Sequence, residues 1–291
     1  MADADVRRRV VCQSGHVLSF VDAGPSEAPA LVLIHGLASD SGTWELAIAA
    51  LAERGLRVIA PDLLGHGESD KPAYGYSLDG FARSLAELLD AISVPSATFV
   101  GHSLGGAAAM HFAYNYPSHL DRLVLVSSGG LGQHVHPVLR AATLPGAHTL
   151  LRVLVNHRTA VVYRKPRLHR ALRLPPATVT NLRRAGRGLA SPDGRAAFFA
   201  TLHSVIKPSG QRQPIVDYFA RRVPTLIVWS RNDHVIPVSH AYATHQRLVD
   251  SRLELFPGSS HQPHHKHADR FANVVADFVA TTAPAPRSDS G

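Results

Sequence analysis

The 291-residue chain contains one cysteine, Cys12. A single thiol excludes an internal disulfide framework and any cysteine-based zinc ribbon. No uninterrupted apolar run approaches the roughly 20 residues that a membrane-spanning helix needs. The first eleven residues, MADADVRRRVV, lack the apolar core and small-residue cleavage site of a secretory signal. Lysine is scarce as well, 4 against 26 arginines. That bias follows from GC-rich coding DNA as readily as from function. A content of 45% hydrophobic and 18% charged residues excludes a disordered chain. These features predict a soluble, cytoplasmic protein with one large core, long enough to carry an inserted subdomain.

The formal net charge is +8, and its distribution matters more than its size. Between Gly129 and Arg222 there are 16 Lys and Arg against two acids, Asp193 and Asp217. The rest of the chain carries 14 basic and 20 acidic residues. A basic block inside a mildly acidic chain reads as a module inserted into a different domain. It has no zinc-finger spacing, no aromatic RNA-binding signature and no helix-turn-helix pattern, so no nucleic-acid partner is expected. Its arginines are scattered, as on a solvated helical face. They also suit steering of an anionic substrate.

Apolar spacing gives the organisation. Val17–Val21, Ala30–Ile34, Arg57–Ala60, Ala97–Val100, Leu123–Val126, Pro224–Trp229 and Leu253–Phe256 read as strands. Helices are expected over Gly42–Arg54, with Leu46, Ala50 and Leu51 on the buried face, and from a Ser77 cap to about Ile92. Further helices are expected over Gly105–Tyr116, Ser239–Val249 and His267–Thr281. Alternation of this kind predicts an α/β fold: a mostly parallel sheet with helices on both faces. It breaks over residues 129–222, which show helical spacing and no clear buried strand. The expected layout is a core of residues 1–128 and 223–282, a basic helical cap at 129–222 and a flexible tail at 283–291.

Gly101-His102-Ser103-Leu104-Gly105 carries the chemistry. It fits G-x-S-x-G with a strand before it and an Ala-rich helix after it. A strand turning sharply into a helix holds its central residue in a strained conformation, and small neighbours let the turn close. Such a turn lifts the Ser103 hydroxyl above the sheet as a candidate nucleophile. Serine needs a base to take its proton. Among 19 histidines, His261 follows the last strand, in Gly258-Ser259-Ser260-His261, on the same sheet edge as Ser103. His264, His265 and His267 crowd that stretch, but no carboxylate or cysteine pattern accompanies them, so they read as exposed loop and helix-start residues rather than metal ligands. The base needs an orienting carboxylate, and Asp233 follows the strand TLIVW on that edge. Two backbone N–H groups are needed for an oxyanion. Leu104 supplies one. Leu37, after His35-Gly36, supplies the other. His35 reads as a turn-stabilising side chain.

With the order Ser103, Asp233, His261 established, the chain resembles the α/β-hydrolase fold family over roughly residues 15–280. LVLIHGL (31–37), VIAPDLLGHGESDKP (58–72), VGHSLGG (100–106), Asp233 with Pro237, and GSSH (258–261) carry the resemblance. It implies eight strands, a Ser-His-Asp triad, no cofactor and a cap between strands six and seven. The stretch DRLVLVSSGGLG resembles bacterial esterase-like members. Ser103 stands where epoxide hydrolases and haloalkane dehalogenases carry Asp. Leu37-Ala38 replaces the aromatic-proline pair usual in cofactor-free haloperoxidases. Ala38-Ser39-Asp40 matches poorly the Gly-rich stretch of meta-cleavage C–C hydrolases. His265-Lys266-His267 stands where related chains often carry an acid.

The expected function is hydrolysis of a small-molecule carboxylic ester or thioester, anionic if the arginines steer it, by a monomer or homodimer. C–C cleavage of a diketone-type substrate by the same triad is the alternative. A low-turnover ligand sensor on the same fold is a third reading. Leu139, Leu144, Leu150, Leu151, Leu154, Val155, Phe198 and Phe199 are candidates for an acyl pocket or for the cap's own core.

Overall fold

The computed structural model describes residues 6–154, 186, 188–212, 223–248, 250–258 and 261–286. Its strands in chain order are β1 (Val6–Val11), β2 (Val17–Ala23), β3 (Ala30–Ile34), β4 (Arg57–Pro61), β5 (Ala97–His102) and β6 (Leu120–Val126). They continue with β7 (Ile206–Lys207), β8 (Gly210–Gln211), β9 (Thr225–Ser230) and β10 (Ser251–Phe256). Eight of these form one sheet in the order β1-β2-β4-β3-β5-β6-β9-β10. The β1–β2 and β2–β4 pairings are antiparallel. Every pairing from β4 to β10 is parallel. The expected α/β fold, a mostly parallel eight-stranded sheet, is present.

A strand's side chains alternate between faces. On β3, Val32 and Ile34 join one apolar cluster, and Leu31 and Leu33 join the other. Leu123 and Leu125 of β6 likewise separate from Val124 and Val126, and Ile227 and Trp229 of β9 from Leu226 and Val228. Burial on both faces is why these strands read as continuous apolar runs. Helices α1 (Glu45–Ala52) and α9 (Ala268–Thr281) cover one face through Ile48, Leu51, Phe271, Val275 and Phe278. Helices α2 (Leu78–Ala91), α3 (Leu104–Asn115) and α7 (Ser239–Arg247) cover the other through Phe81, Leu85, Leu88, Phe112 and Ala241. Ser77 caps α2 as expected, its side chain accepting from the Gly80 N–H.

Two local expectations are corrected, and one strand was not anticipated. The stretch read as one helix from Gly42 opens as a 3-10 turn over Ser41–Trp44, and Leu46 is half exposed while Ala47 and Ile48 are buried instead. The arginine-rich start, which showed no strand signal, is edge strand β1. Its charged side chains both blunt the edge and pair inward. Arg7 donates to Asp62, Ser19 and Ser41, and Arg8 pairs with Asp22. The start of the expected tail is tied to the core, since the Ala285 N–H donates to the Asp121 carbonyl at 2.7 Å.

Within 129–222 the described residues include α4 (Pro137–Ala141), α5 (Ala147–Leu154), α6 (Pro192–Val205) and the small antiparallel ribbon β7–β8, which the sequence did not reveal. Ser204 of α6 donates to the Tyr76 carbonyl, which fastens α6 to the loop after β4. Helix α8 (Pro263–Lys266) precedes α9. Among the described residues no helix is long and apolar enough to cross a membrane.

Candidate active site

Ser103 lies between the last residue of β5 and the first of α3, at φ 54 and ψ −117. A non-glycine residue in that region costs about 1–3 kcal/mol and persists only where its surroundings enforce it. Here they do. The Ser103 N–H donates to the Val126 carbonyl at 3.1 Å, and its own carbonyl accepts from Gly106 and Gly129 at 3.0 and 2.8 Å. A Cβ on Gly105 would overlap the Ile34 carbonyl oxygen of β3, and one on Gly101 would overlap the Gly105 carbonyl. The glycines let strand, turn and helix pack closer than any side chain allows.

The loop after β3 packs on this turn. A Cβ on Gly36 would lie 3.2 Å from Ser103 Cβ. Leu37 and Leu104 line one cavity together with Ser103. Among the described residues, no backbone hydrogen bond takes up the N–H of either leucine. For Leu104 this follows from its place in the first turn of α3, where an N–H has no acceptor in its own helix. His35 is fully buried, and its Nε2 accepts from the Leu63 N–H at 3.0 Å. The proton therefore sits on Nδ1, which donates to the Gly36 carbonyl at 2.8 Å. Both ring nitrogens are occupied in holding the turn, as the sequence suggested.

Asp233 and His261 meet. His261 Nδ1 lies 2.9 Å from Asp233 Oδ2. Asp233 Oδ1 accepts from the Val235 and Ile236 N–H groups at 2.8 and 2.9 Å. The carboxylate is fully buried, whereas the His261 ring is 16% exposed. Burial alone would raise the Asp233 pKa. The hydrogen bond and charge of His261 and the two backbone donors outweigh it and hold the carboxyl below its ordinary range. An ionised carboxylate accepts only, so Nδ1 carries a proton, and in the neutral ring Nε2 keeps a lone pair.

Ser103 and His261 are not joined by a hydrogen bond among the described residues. Residue 261 is nonetheless fastened to the turn by the neighbour of Ser103: His102 Nε2 lies 2.9 Å from the His261 carbonyl oxygen. Nothing in the sequence marked His102, which occupies a freely variable position of the motif. Gln211 was missed too. Its Oε1 accepts from the Gly130 N–H, its Nε2 donates to the His134 carbonyl, and it lines the cavity beside Ser103. A glutamine on a two-residue strand has no sequence signal.

The cavity is lined mainly by apolar residues, including Met110, Val135, Leu139, Val205, Val235 and Ile236. Of the described candidates for an acyl pocket, only Leu139 lines it. Leu144 and Leu150 are exposed, Phe199 is buried, and the side chains of 151, 154 and 155 lie outside the described residues, as do Ser259 and Ser260. His264 is corrected: far from exposed, it is fully buried with its ring 4.1 Å from that of Trp44. His265 and His267 are half-buried. Among the described residues no group of three metal-ligating side chains occurs.

Relatives agree with this architecture. An uncharacterized protein of Mycobacterium tuberculosis is 39% identical over 93% of this chain and 80% of its own length. A 2-hydroxy-6-oxo-6-phenylhexa-2,4-dienoate hydrolase of Burkholderia cepacia is 26% identical over 89% of this chain and 90% of its own. The crystal structure of a serine hydrolase involved in carbazole degradation superposes with a TM-score of 0.73 at 26% identity, over 96% of this chain and all of that one. The family model of the alpha/beta hydrolase fold matches residues 29–268. The strained turn, the two-faced parallel sheet and this match lead to one conclusion: the chain belongs to the α/β-hydrolase fold family.

Proposed function

We propose that the protein is a serine hydrolase that cleaves a carboxylic ester or thioester through an acyl-enzyme on Ser103. The observation that carries this reading is the buried Asp233 carboxylate on His261 Nδ1, with residue 261 fastened one position from a strained serine. Ser103 Oγ attacks the acyl carbon while His261 Nε2 takes the hydroxyl proton. The imidazolium passes that proton to the departing alcohol or thiol. A water then attacks the acyl carbon, His261 takes one of its protons, and the free acid leaves as Ser103 recovers its hydrogen. Asp233 stays ionised throughout and stabilises the imidazolium. The N–H groups of Leu37 and Leu104 hold the oxyanion.

Residues 129–222 serve as a cap in this reading. Leu139, Val205, Ile206, Gln211 and Arg212 come from that segment and close the cavity over Ser103. Among the described residues the lining contains no carboxylate and one guanidinium, Arg212, so a small substrate with an apolar acyl part and an anionic group suits it best. Steering by that charge predicts that kcat/KM for anionic esters falls with rising salt, while neutral esters stay level.

C–C cleavage of a diketone-type substrate is the second reading. The dienoate hydrolase named among the relatives favours it. One panel separates the readings: p-nitrophenyl esters of increasing acyl length, acyl thioesters and a dienol-type ring-cleavage product. Steady turnover of esters or thioesters with no dienol cleavage supports the first reading. Dienol cleavage with only slow ester turnover supports the second. A single stoichiometric burst without turnover contradicts both and points to a ligand sensor.

A further inference from the structure

We infer that His102 is a positioning residue, whose ring N–H fixes the main chain of His261 and thereby sets the height of the His261 imidazole over Ser103. This inference rests on the reading of His261 as the base.

The geometry leaves His102 one tautomer. Its Nε2 is 2.9 Å from the His261 carbonyl oxygen, and a carbonyl accepts only. The proton therefore sits on Nε2, and Nδ1 is bare. Nδ1 is buried without a hydrogen-bond partner among the described residues, 3.1 Å from where a Cβ on Gly36 would stand. The ring is walled in by others. It lies 4.7 Å from His261, 4.7 Å from His264 and 6.3 Å from Trp44, and Trp44 packs against His264 at a tilt of 36°. A donor held this rigidly fixes its acceptor, and the acceptor belongs to the backbone of the base itself.

The need for such a strut follows from the rest of the site. Asp233 fixes one edge of the His261 ring through Nδ1. Rotation about that bond still lets Nε2 swing towards or away from Ser103. A second point on residue 261, tied to the residue that precedes Ser103, removes that freedom. A misplacement of about 1 Å at a reacting group costs on the order of 10²-fold in rate.

The charged and titratable groups facing His102 are His261, Asp233, His35 and His264. Burial, then the charge of His261, push the His102 pKa down to about 3, against smaller opposing effects of the hydrogen bond to His261 and the charge of Asp233. The strut stays neutral at working pH and adds no positive charge beside the imidazolium that forms on His261.

The test uses His102→Leu, which removes the donor, and His102→Gln, whose amide N–H replaces Nε2–H. On a p-nitrophenyl ester, His102→Leu is expected to lower kcat by about 10–100-fold with KM within twofold. His102→Gln is expected to recover most of that loss. Both should melt within a few degrees of the wild type. Equal losses in the two variants, an unchanged kcat in His102→Leu, or losses that track melting temperature would overturn the proposal. Should the variants not fold, deuterium exchange at the imidazole C2, read residue by residue on the wild-type protein by mass spectrometry, decides. Slow exchange at His102 with no midpoint above about pH 5 supports the strut, and a midpoint near that of free imidazole removes it. Fluorophosphonate labelling of wild type and Ser103→Ala tests the underlying mechanism apart from this. If Ser103 is labelled and His102→Leu is fully active, only the strut falls.

Discussion

At the residue scale, Asp233 would link stability to catalysis under the proposed mechanism. It receives three hydrogen bonds, two from backbone N–H groups and one from His261. An Asp233→Asn substitution keeps the shape but lets the amide donate towards Nδ1, which favours the tautomer with its proton on Nε2 and disables the base. We expect kcat to fall by about 10⁴-fold with little change in KM, measured on a p-nitrophenyl ester. A loss below tenfold would remove Asp233 from the mechanism. The placement of Ser103, Asp233 and His261 after β5, β9 and β10 was legible because each follows a recognisable strand at one sheet edge. His102, Gln211 and the burial of His264 were not. Their roles come from partners more than 75 residues away, and no local periodicity encodes such contacts.

At the element scale, the turn from β5 into α3 depends on close backbone approach. Gly105 lies against the Ile34 and His35 carbonyls of the neighbouring β3 strand and its loop. Gly105→Ala forces α3 away from that strand and moves Ser103 and the Leu104 N–H together. The expected cost is about 1–3 kcal/mol in stability, read from denaturant melts, with a larger fractional loss of kcat than of stability. Unchanged kcat would show that the turn tolerates displacement. Parallel strands were easy to read because both faces are apolar. β1 was not, since an edge strand needs neither apolar face and its arginines find Asp62 and Asp22 only after folding. The pocket was equally hidden: it is assembled from loops, α2, α3, α4, α6, β7 and β8, whose side chains have no common spacing.

At the scale of the whole molecule, two buried histidines tie stability to pH. Burial drives His66 and His102 from 6.5 down to about 3. As pH falls, the unfolded chain binds these protons before the folded one. Stability from this source is complete above pH 6.5 and drains between 6.5 and about 3. At pH 5.5 the loss is on the order of 1 kcal/mol for each histidine and a few kcal/mol together. Asp62 and Asp233, both held below the ordinary 3.8, act in the same direction over a more acidic window. Their stabilisation is present above pH 3.8 and is lost as pH falls through their lowered values. Denaturant melts at pH 7.5 and 5.5 should differ by that amount, and His66→Phe should shrink the difference by about half. Equal stability at the two pH values would mean that these rings titrate normally.

The central claim is an activated serine at position 103, and a fluorophosphonate probe followed by intact and peptide mass analysis tests it most directly. The account predicts one adduct per chain, on Ser103, absent in Ser103→Ala and slowed by about 10⁴-fold or more in His261→Ala. An adduct on another residue, or labelling of Ser103→Ala at the wild-type rate, would contradict it.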